Sequence, residues 1–154
     1  MRLTTRGRYA LRASLALAKL RKEGRPVSIN QLSEQEHISP VFLEQIFFKL
    51  RKAGIVVSMR GPGGGFNFTK PLNELSVFEI LSAAGEDLGN SLCDKHNDQC
   101  ERTGDCLSHS VFIDLAEMVR CYFTKMTLAS IMDKYNESTT GSGNDNIGNV
   151  ILEV

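Results

Sequence analysis

Tryptophan is absent from this 154-residue sequence, proline occurs only four times, and no apolar run is long enough to span a membrane. Near the N-terminus, Arg12 and Lys19 interrupt the apolar positions, so a secretory signal is not predicted. Four cysteines are too few for a disulfide scaffold, and 42% hydrophobic residues are too many for a disordered chain. We therefore expect a folded, cytoplasmic protein with no membrane partner.

The formal net charge is zero, yet the two halves of the chain carry opposite charges. Residues 1–70 contain thirteen Lys and Arg against four Asp and Glu, whereas residues 71–154 contain five against fourteen. A basic half of this kind is typical of proteins that bind the DNA backbone, because neutralised phosphates release condensed counterions. The alternative is that the basic side chains only solvate helix faces. The size of the asymmetry favours a polyanionic partner.

Apolar spacing in the basic half predicts three helices followed by a β-hairpin. Helices are expected at residues 5–21, 28–35 and 40–53, and strands at residues 55–60 and 66–69. Ser28 and Ser39 are candidate N-caps, and Pro40 suits the first position of the third helix. Two helices joined by a short turn and followed by a hairpin form a winged helix-turn-helix, whose second helix enters the DNA major groove. We expect this domain over residues 1–85.

The acidic half is predicted to add a long dimerisation helix, which makes the fold mainly α with a small hairpin wing. After a short helix at 76–84, we expect a cysteine loop at 86–106, a long and a short helix within 107–135, and a disordered tail at 136–154. The long helix carries two apolar stripes, namely Val111, Leu115, Met118 and Tyr122, and Phe112, Ala116, Val119 and Phe123. One stripe can cover the winged domain and the other a two-fold mate, although a fully buried helix of a monomer is the alternative.

The exposed face of the third helix is predicted to read DNA. Gln45 can pair with adenine, Glu44 can accept a hydrogen bond from cytosine N4, and Val41 can touch a thymine methyl group. Phe48 is expected on the same face, where an exposed aromatic side chain indicates a partner. The DNA-binding residues predicted in this helix are Val41, Glu44, Gln45 and Lys49.

The turn of the predicted hairpin has four glycines in the five positions 61–65. A hairpin needs only one or two glycines, so the excess indicates that a partner approaches the backbone closely, and DNA is the natural candidate. Arg60 at the base of the turn could enter the minor groove. The turn lacks a Gly-Lys-Ser/Thr ending, which argues against a nucleotide-phosphate loop. Arg60, Gly63 and Gly64 complete the predicted DNA-binding set.

Four metal-ligand residues fall within seventeen positions, in the pattern Cys93-x6-Cys100-x5-Cys106-x2-His109. This set suits an iron-sulfur cluster or a zinc ion, and the wide spacing favours the cluster; ordinary surface cysteines are the alternative. His96 is a substitute ligand in this interpretation, and Cys121 is interpreted as a packing residue. The sequence contains no catalytic constellation, so neither an enzyme nor a small-molecule substrate is predicted.

Several segments together resemble the IscR-type regulators of iron-sulfur cluster biogenesis, a branch of a large bacterial winged-helix repressor family. They are Met1–Thr4, Gly7–Ala10, Leu43–Gln45, Leu50–Gly54, Arg60–Phe66 and Cys106-x2-His109. The resemblance covers residues 1 to about 135. It implies a homodimer that binds a palindromic operator in double-stranded DNA, with Glu44 and Gln45 in the reading helix and Arg60 in the wing.

The same resemblance implies a [2Fe-2S] cluster, held by Cys93, Cys100, Cys106 and His109, whose presence would report iron-sulfur supply. The nitric-oxide-sensing NsrR type is similar, but it has an aspartate ligand to a [4Fe-4S] cluster where this chain has Arg8. The interval between Cys93 and Cys100 is also one residue longer than in the IscR pattern. The alternatives are a constitutive repressor stabilised by zinc, or a nitric oxide or iron sensor with a [4Fe-4S] cluster.

Overall fold

The computed structural model describes residues 3–21, 24–88 and 105–140. The elements follow in the order α1 (Thr5–Leu20), α2 (Ile29–Glu36), α3 (Pro40–Lys52), β1 (Val56–Met59), β2 (Gly65–Phe68), a 3-10 helix (Leu72–Glu74), α4 (Val77–Ala84), α5 (His109–Lys125) and α6 (Leu128–Thr140). This order confirms the predicted mainly α fold with a hairpin wing. In the described part of the chain, no helix is both long and apolar enough to cross a membrane.

Three serines begin helices, and two of them, Ser28 and Ser39, are the predicted N-caps. Ser28, Ser39 and Ser76 each accept a hydrogen bond from a backbone N–H in the first turn of α2, α3 and α4. Pro40 lies in the first turn of α3, where the missing N–H of proline costs no helical hydrogen bond. Glu79 completes the capping box of α4 by accepting a hydrogen bond from the Ser76 N–H at 3.0 Å. These local caps explain why the boundaries of α2, α3 and α4 lie close to the predicted ones.

The core lies between α1, α2 and α3 and extends to the hairpin and α4. The apolar face predicted for α3 is buried, and it consists of Leu43, Ile46, Phe47 and Leu50. Leu17 of α1 and Leu32 of α2 belong to the same buried cluster. Each large side chain of this kind contributes roughly 1.5–3 kcal/mol by leaving water. Burial, more than helix propensity, therefore fixes the orientation of α3.

β1 and β2 form an antiparallel two-stranded sheet, with the register Val56↔Phe68, Val57↔Asn67, Ser58↔Phe66 and Met59↔Gly65. A third segment joins this sheet, because Val27 and Phe66 exchange two backbone hydrogen bonds of 2.9 and 2.8 Å. The Phe66 ring packs on Phe47, with 4.7 Å between the ring centroids. The wing is therefore fixed both to the core and to the segment before α2.

The junction between α5 and α6 packs on the segment in front of α4. The Val77 N–H donates to the Met126 carbonyl at 2.8 Å, and the Leu128 N–H donates to the Leu75 carbonyl at 2.9 Å. Leu128 is completely buried in the same core as α1 and α3. The end of α5 and the start of α6 are thus tied to the helices of the winged domain.

Helix α6 continues to Thr140, so the predicted disorder of residues 136–140 is wrong. These residues are polar, but they contain neither glycine nor proline, and extending an existing helix adds one hydrogen bond for each residue that it fixes. The hydroxyls of Ser138 and Thr139 also donate to backbone carbonyls one turn earlier. Residues 141–154 of the predicted tail lie outside the described residues.

Candidate nucleic-acid interface and metal centre

The predicted reading face of α3 lies on the surface of the molecule. Glu44 and Gln45 are exposed, and the apolar side chains of Val41 and Phe48 are 65% and 59% exposed. Two large apolar side chains therefore remain in water beside two polar ones. Such a mixture suits the edges of DNA bases, which offer both hydrogen-bonding groups and methyl groups.

The turn between α2 and α3 sets the angle at which α3 is presented. His37 ends α2 in the left-handed conformation, with φ 54° and ψ 40°, and this conformation reduces stability for a residue other than glycine. Ser33 Oγ donates to the Ile38 carbonyl at 2.7 Å, and the Ile38 side chain is buried. The turn lies where the sequence predicts it, although its strained histidine was not foreseen.

Arg51, near the end of α3, joins the reading face to the wing. Its guanidinium carbon lies 5.8 Å from the centre of the Phe48 ring, and its NH1 atom donates to Ser58 Oγ of β1 at 3.3 Å. A guanidinium over an aromatic ring is attracted by the ring quadrupole. Arg51 therefore contacts both the predicted reading face of α3 and the hairpin. Sequence reasoning missed this residue because its role depends on a contact between two elements.

The predicted wing residues lie in the turn of the hairpin, where Arg60 and Gly63 are exposed and Gly64 is half-buried. Gly61 and Gly63 have positive φ angles of 106° and 75°, which glycine adopts without strain. A Cβ at Gly64 would lie 2.9 Å from the Gly61 carbonyl oxygen, and one at Gly65 would collide with the segment before α2. The four glycines therefore have intramolecular reasons and do not by themselves require an approaching partner. Contact of Gly63 and Gly64 with DNA stays a prediction.

Lys49, a predicted DNA-binding residue, has an internal contact in the structure. Its Nζ atom donates to the Ala84 carbonyl at 3.2 Å, at the end of α4 where the helix dipole favours a positive charge. The Lys49 side chain is half-buried there. A DNA contact of Lys49 stays a prediction, whereas its contact with α4 is a role that the sequence analysis missed.

A groove of about 370 Å³ lies between the N-terminal turn of α1 and the exposed side of α3. Its lining includes the cationic side chains of Arg6, Lys49 and Lys52, together with Gln45 and Phe48 of the predicted reading face. Cations beside a reading face are suited to phosphate oxygens, which position a protein on the duplex. Arg6 was not among the predicted DNA-binding residues, and only the basic character of residues 1–70 pointed to it.

Glu86 follows α4 and reaches the N-terminus of α1. Its carboxylate accepts hydrogen bonds from the Thr4 N–H at 3.0 Å, from the Gly7 N–H at 3.1 Å and from the Thr4 hydroxyl. Burial alone would raise the pKa of the Glu86 carboxyl, but the hydrogen bonds from Thr4 and Gly7 and the charge of Arg6 outweigh burial and lower it. Glu86 is therefore an anion that caps α1 from another element, at the end where the helix dipole is positive.

Two of the four predicted metal ligands, Cys106 and His109, belong to the described residues. Cys93 and Cys100 lie outside them, as does His96. His109 is the first residue of α5, and its backbone N–H donates to the Cys106 carbonyl at 3.1 Å. This single turn holds the two predicted ligand residues close together in the chain. Within residues 3–21, 24–88 and 105–140, no group of three or more potential metal ligands is found.

The His109 side chain fits the role of a ligand. Its Nδ1 atom is buried, and no described group forms a hydrogen bond with it. A buried ring nitrogen without a partner costs free energy, and a bond to a metal would satisfy it. The Cys106 thiol is half-buried and lies 3.3 Å from Ser108 Oγ. Thiolate sulfur and imidazole nitrogen are ligands for both zinc and iron-sulfur clusters, so the pair suits either.

Helix α5 carries an apolar face that no described part of the chain covers. The first predicted stripe remains between 53% and 64% exposed, and it consists of Val111, Leu115, Met118 and Tyr122. Phe123 of the second stripe packs on the cluster that includes Val77 and Leu81, whereas Phe112 is exposed. Cys121 is also exposed, so its interpretation as a packing residue is wrong for the single chain. The reason is that only one side of α5 packs on α4.

Comparisons with known proteins agree with this architecture. The profile of the Rrf2 family, described as iron-dependent transcriptional regulators, matches residues 3–134. A Haemophilus influenzae protein, named only as an HTH-type transcriptional regulator, is 40% identical over 136 residues, which are 88% of this chain and 89% of that protein. The HTH-type transcriptional regulator IscR of Serratia proteamaculans is 38% identical over 133 residues, which are 86% of this chain and 80% of that protein.

A solved structure shows the same fold. IscR of T. potens superposes on this chain with a TM-score of 0.74 and 26% sequence identity, and the match covers 93% of this chain and 94% of that one. These relatives are transcriptional regulators and not enzymes. From the extent of the family match and the winged architecture, this chain is a member of the Rrf2 family of DNA-binding transcriptional regulators.

Proposed function

We propose that this protein is a cytoplasmic, homodimeric transcriptional regulator that senses iron-sulfur cluster status through a [2Fe-2S] cluster and controls genes of iron-sulfur cluster biogenesis. The proposal rests on the Cys106 and His109 pair, in which the buried Nδ1 atom of His109 has no described hydrogen-bond partner. This pair occurs in a chain that is 38% identical to IscR of Serratia proteamaculans. Cys93 and Cys100 are the other two proposed ligands.

The four ligands require particular protonation states. Cysteine binds as a thiolate and histidine as a neutral imidazole, so ligation displaces protons from the thiols. A bound [2Fe-2S] cluster supplies a charged inorganic core whose formation depends on the supply of iron and sulfide. Because His109 is the first residue of α5, occupancy of this site acts on the start of the helix that we propose to join the subunits.

On the DNA side, α3 enters the major groove, where Glu44 and Gln45 face base edges and Val41 faces a thymine methyl group. Arg60 enters the neighbouring minor groove, with the glycine turn against the sugar-phosphate backbone. The exposure of these side chains supports the assignment. A dimer has two such reading heads related by a two-fold axis, which requires a palindromic operator.

The exposed apolar face of α5 supports the homodimer. Pairing around a two-fold axis buries the same stripe on both subunits, and this removes side chains such as Leu115 and Met118 from water. The two copies of α3 are then held at one separation. Ligation at Cys106 and His109 biases that separation and hence the affinity for the operator.

Protein purified without oxygen tests the cofactor. We expect visible charge-transfer absorption, with iron and sulfide in equal amounts and two of each per chain, as a [2Fe-2S] cluster requires. Twice that amount of iron per chain indicates a [4Fe-4S] cluster and a different sensor. Colourless protein with stoichiometric zinc leaves a constitutive repressor stabilised by a structural metal.

Cysteine variants test the sensing step. Cys100→Ala and Cys106→Ala should each remove the visible absorption and change the affinity for the operator. Cys121→Ala is the matched control, because Cys121 is exposed on α5 and belongs to no proposed ligand set. If Cys106→Ala binds the operator as the wild type does, the protein is a DNA-binding regulator without the proposed switch.

A further inference from the structure

The groove lined by Arg6, Lys49 and Lys52 is the cationic groove. Three elements meet beside it, namely the first turn of α1, the helix α3 and the C-terminus of α4. Glu86 connects α4 to α1 through Gly7, and Lys49 connects α3 to α4 through Ala84. The first contact joins residues 79 positions apart in sequence, and the second joins residues 35 positions apart. The orientation of the first turn of α1 therefore depends on a residue that follows α4.

We propose that Glu86 is a positioning residue for DNA binding: it holds the first turn of α1 so that Arg6 faces the groove and contacts a backbone phosphate of DNA. The inference rests on the DNA-binding role of α3 proposed above. Arg6 lines the groove together with Lys49 and Lys52, beside the reading face. A backbone phosphate is the ligand that this cluster fits, since at least half of the hydrogen bonds between proteins and DNA go to the sugar-phosphate backbone, and Arg and Lys are among the side chains that make them.

Both oxygens of the Glu86 carboxylate take part in the contact. Oε2 accepts from the Thr4 N–H, and Oε1 accepts from the Gly7 N–H and the Thr4 hydroxyl. A carboxylate bound at both oxygens fixes the rotation of the helix turn as well as its distance. Arg6 lies between Thr4 and Gly7 in sequence, so its backbone position is fixed from both sides.

Gly7 shows how closely Glu86 approaches α1. Gly7 lies inside the helix and is not among the residues with positive φ. A Cβ there would lie 2.6 Å from Glu86 Oε1, and the three atoms nearest to it all belong to Glu86. Glycine in a helix normally reduces stability relative to alanine. The glycine is therefore explained by the room that it leaves for the carboxylate.

Glu86 also supports Arg6 by its charge. A Cβ at Gly85 would lie 3.9 Å from Arg6 NH1 and 3.2 Å from Lys49 Nζ, so both cations approach the end of α4. Two cations near the same point repel each other, and the Glu86 carboxylate and the negative end of the α4 dipole offset this repulsion. Without Glu86, Arg6 is free to leave the groove.

Whether the removal of Glu86 weakens or strengthens DNA binding distinguishes positioning of Arg6 from two other roles of this carboxylate, namely repulsion of the phosphates and occupation of a phosphate site. Removing an acid near DNA normally strengthens binding, because it removes a repulsion with the phosphates. If Glu86 instead occupied a phosphate site at the N-terminus of α1, its removal would also strengthen binding. Positioning of Arg6 requires the opposite result.

The test uses the full chain and a labelled duplex that the wild-type protein selects from a random pool, with affinity measured over a range of salt concentrations. We expect Glu86→Gln to weaken binding about tenfold and to reduce the salt dependence by about one phosphate contact, as Arg6→Gln does. The double variant should behave as either single variant does. Glu74→Gln, which removes an exposed carboxylate in the 3-10 helix, should bind as the wild type does.

Unchanged or stronger binding by Glu86→Gln, with an unchanged salt dependence, overturns this inference and leaves the proposed function intact. If the wild-type chain selects no duplex, both are overturned. Circular dichroism and Tm show whether each variant is folded.

A second pair of variants tests the contact without relying on the charge change. Gly7→Ala should weaken DNA binding in the wild-type chain, because the added methyl group displaces the Glu86 carboxylate. In the Glu86→Ala background the methyl group has room, so Gly7→Ala should cause no further loss of affinity and should raise Tm, as alanine does in a helix. An equal loss of affinity in both backgrounds overturns the inference.

Discussion

The Nζ atom of Lys49 lies 3.2 Å from the carbonyl oxygen of Ala84, so the helix proposed to read DNA is fastened to the C-terminus of α4. The position of α3 thus depends on a contact between a charge and a helix end, as well as on the buried apolar face of α3. This contact can be weakened without disturbing the core, because the stem of Lys49 is only half-buried.

Lys49→Met keeps an apolar stem but removes the ammonium group. We expect the free energy of unfolding to fall by about 1 kcal/mol, because a charged hydrogen bond to the end of α4 is lost. Urea unfolding measures this change. Lys52→Met, at an exposed position of the same helix, is the control and should change stability by less than about 0.5 kcal/mol. Equal losses in the two variants would contradict the contact.

Ser14 lies in α1, and its buried hydroxyl has no hydrogen-bond partner among the described residues. Ser14→Ala should therefore raise the free energy of unfolding by about 1 kcal/mol, because it removes an unsatisfied polar group and introduces a better helix former. The control Ser82→Ala, at an exposed position of α4, reports the gain in helix propensity alone, at roughly 0.5 kcal/mol. A loss of stability in Ser14→Ala would mean that the hydroxyl is satisfied in solution.

Acid should weaken the fold through Glu79. Burial alone would raise the pKa of its carboxyl, but hydrogen bonds from Ser76 and the neighbouring Lys70 outweigh burial and lower the pKa from its ordinary value of 4.5. A lowered pKa in the folded state means that the carboxylate stabilises the fold above about pH 4.5, and that this stabilisation is lost as the pH falls through the folded pKa.

Glu79→Gln should therefore be less stable than the wild type at neutral pH and should lose less stability on acidification. Urea midpoints measured from neutral pH down to about pH 3 test this expectation. Ser76→Ala removes the hydroxyl that donates to Glu79 but keeps the backbone N–H donor of residue 76, so its acid dependence should lie between those of the wild type and Glu79→Gln. An acid dependence identical to that of the wild type would rule out this role of Glu79.

Leu115→Glu should weaken the proposed dimer. The substitution places an unpaired carboxylate on the apolar face of α5 in both subunits, and we expect the dissociation constant to rise about a hundredfold or more. Sedimentation measures the change. Thr124→Glu adds the same charge at an exposed position of α5 outside the apolar stripe and should leave association nearly unchanged. Unaltered association of Leu115→Glu would move the interface away from this face.

The parts of the fold that depend on neighbouring residues could be predicted from the sequence. Ser28, Ser39 and Ser76 act within one helical turn, and the buried face of α3 follows from a spacing of three and four residues. The exposure of Val41 and Phe48 on the opposite face follows from the same periodicity. Local chemistry therefore determined most helix boundaries and which side of α3 is exposed, whereas contact of that side with DNA stays a prediction.

Contacts between distant segments could not be predicted in this way. Nothing near Gly7 in sequence indicates that Glu86 will occupy the space beside it, because the contact arises only when α1 and α4 pack together. The contacts of Arg51 and Lys49 could not be predicted for the same reason, because each side chain binds an element other than α3. The assignment of Cys93 and Cys100 as ligands depends on spacing and resemblance, and it stays a prediction.

Leu128 is fully buried beneath the winged domain, and backbone hydrogen bonds join Leu75 and Val77 to the α5–α6 junction. The winged domain of this chain therefore depends on the α5–α6 junction and cannot be transferred to another protein without it. A chimaera that ends after α4 would lack the side chain that fills this part of the core and would leave backbone groups of residues 75 and 77 unpaired. An engineer who exchanges segments between such regulators has to retain the α5–α6 junction with the winged domain, so the helices proposed to read DNA and to join the subunits are transferred together.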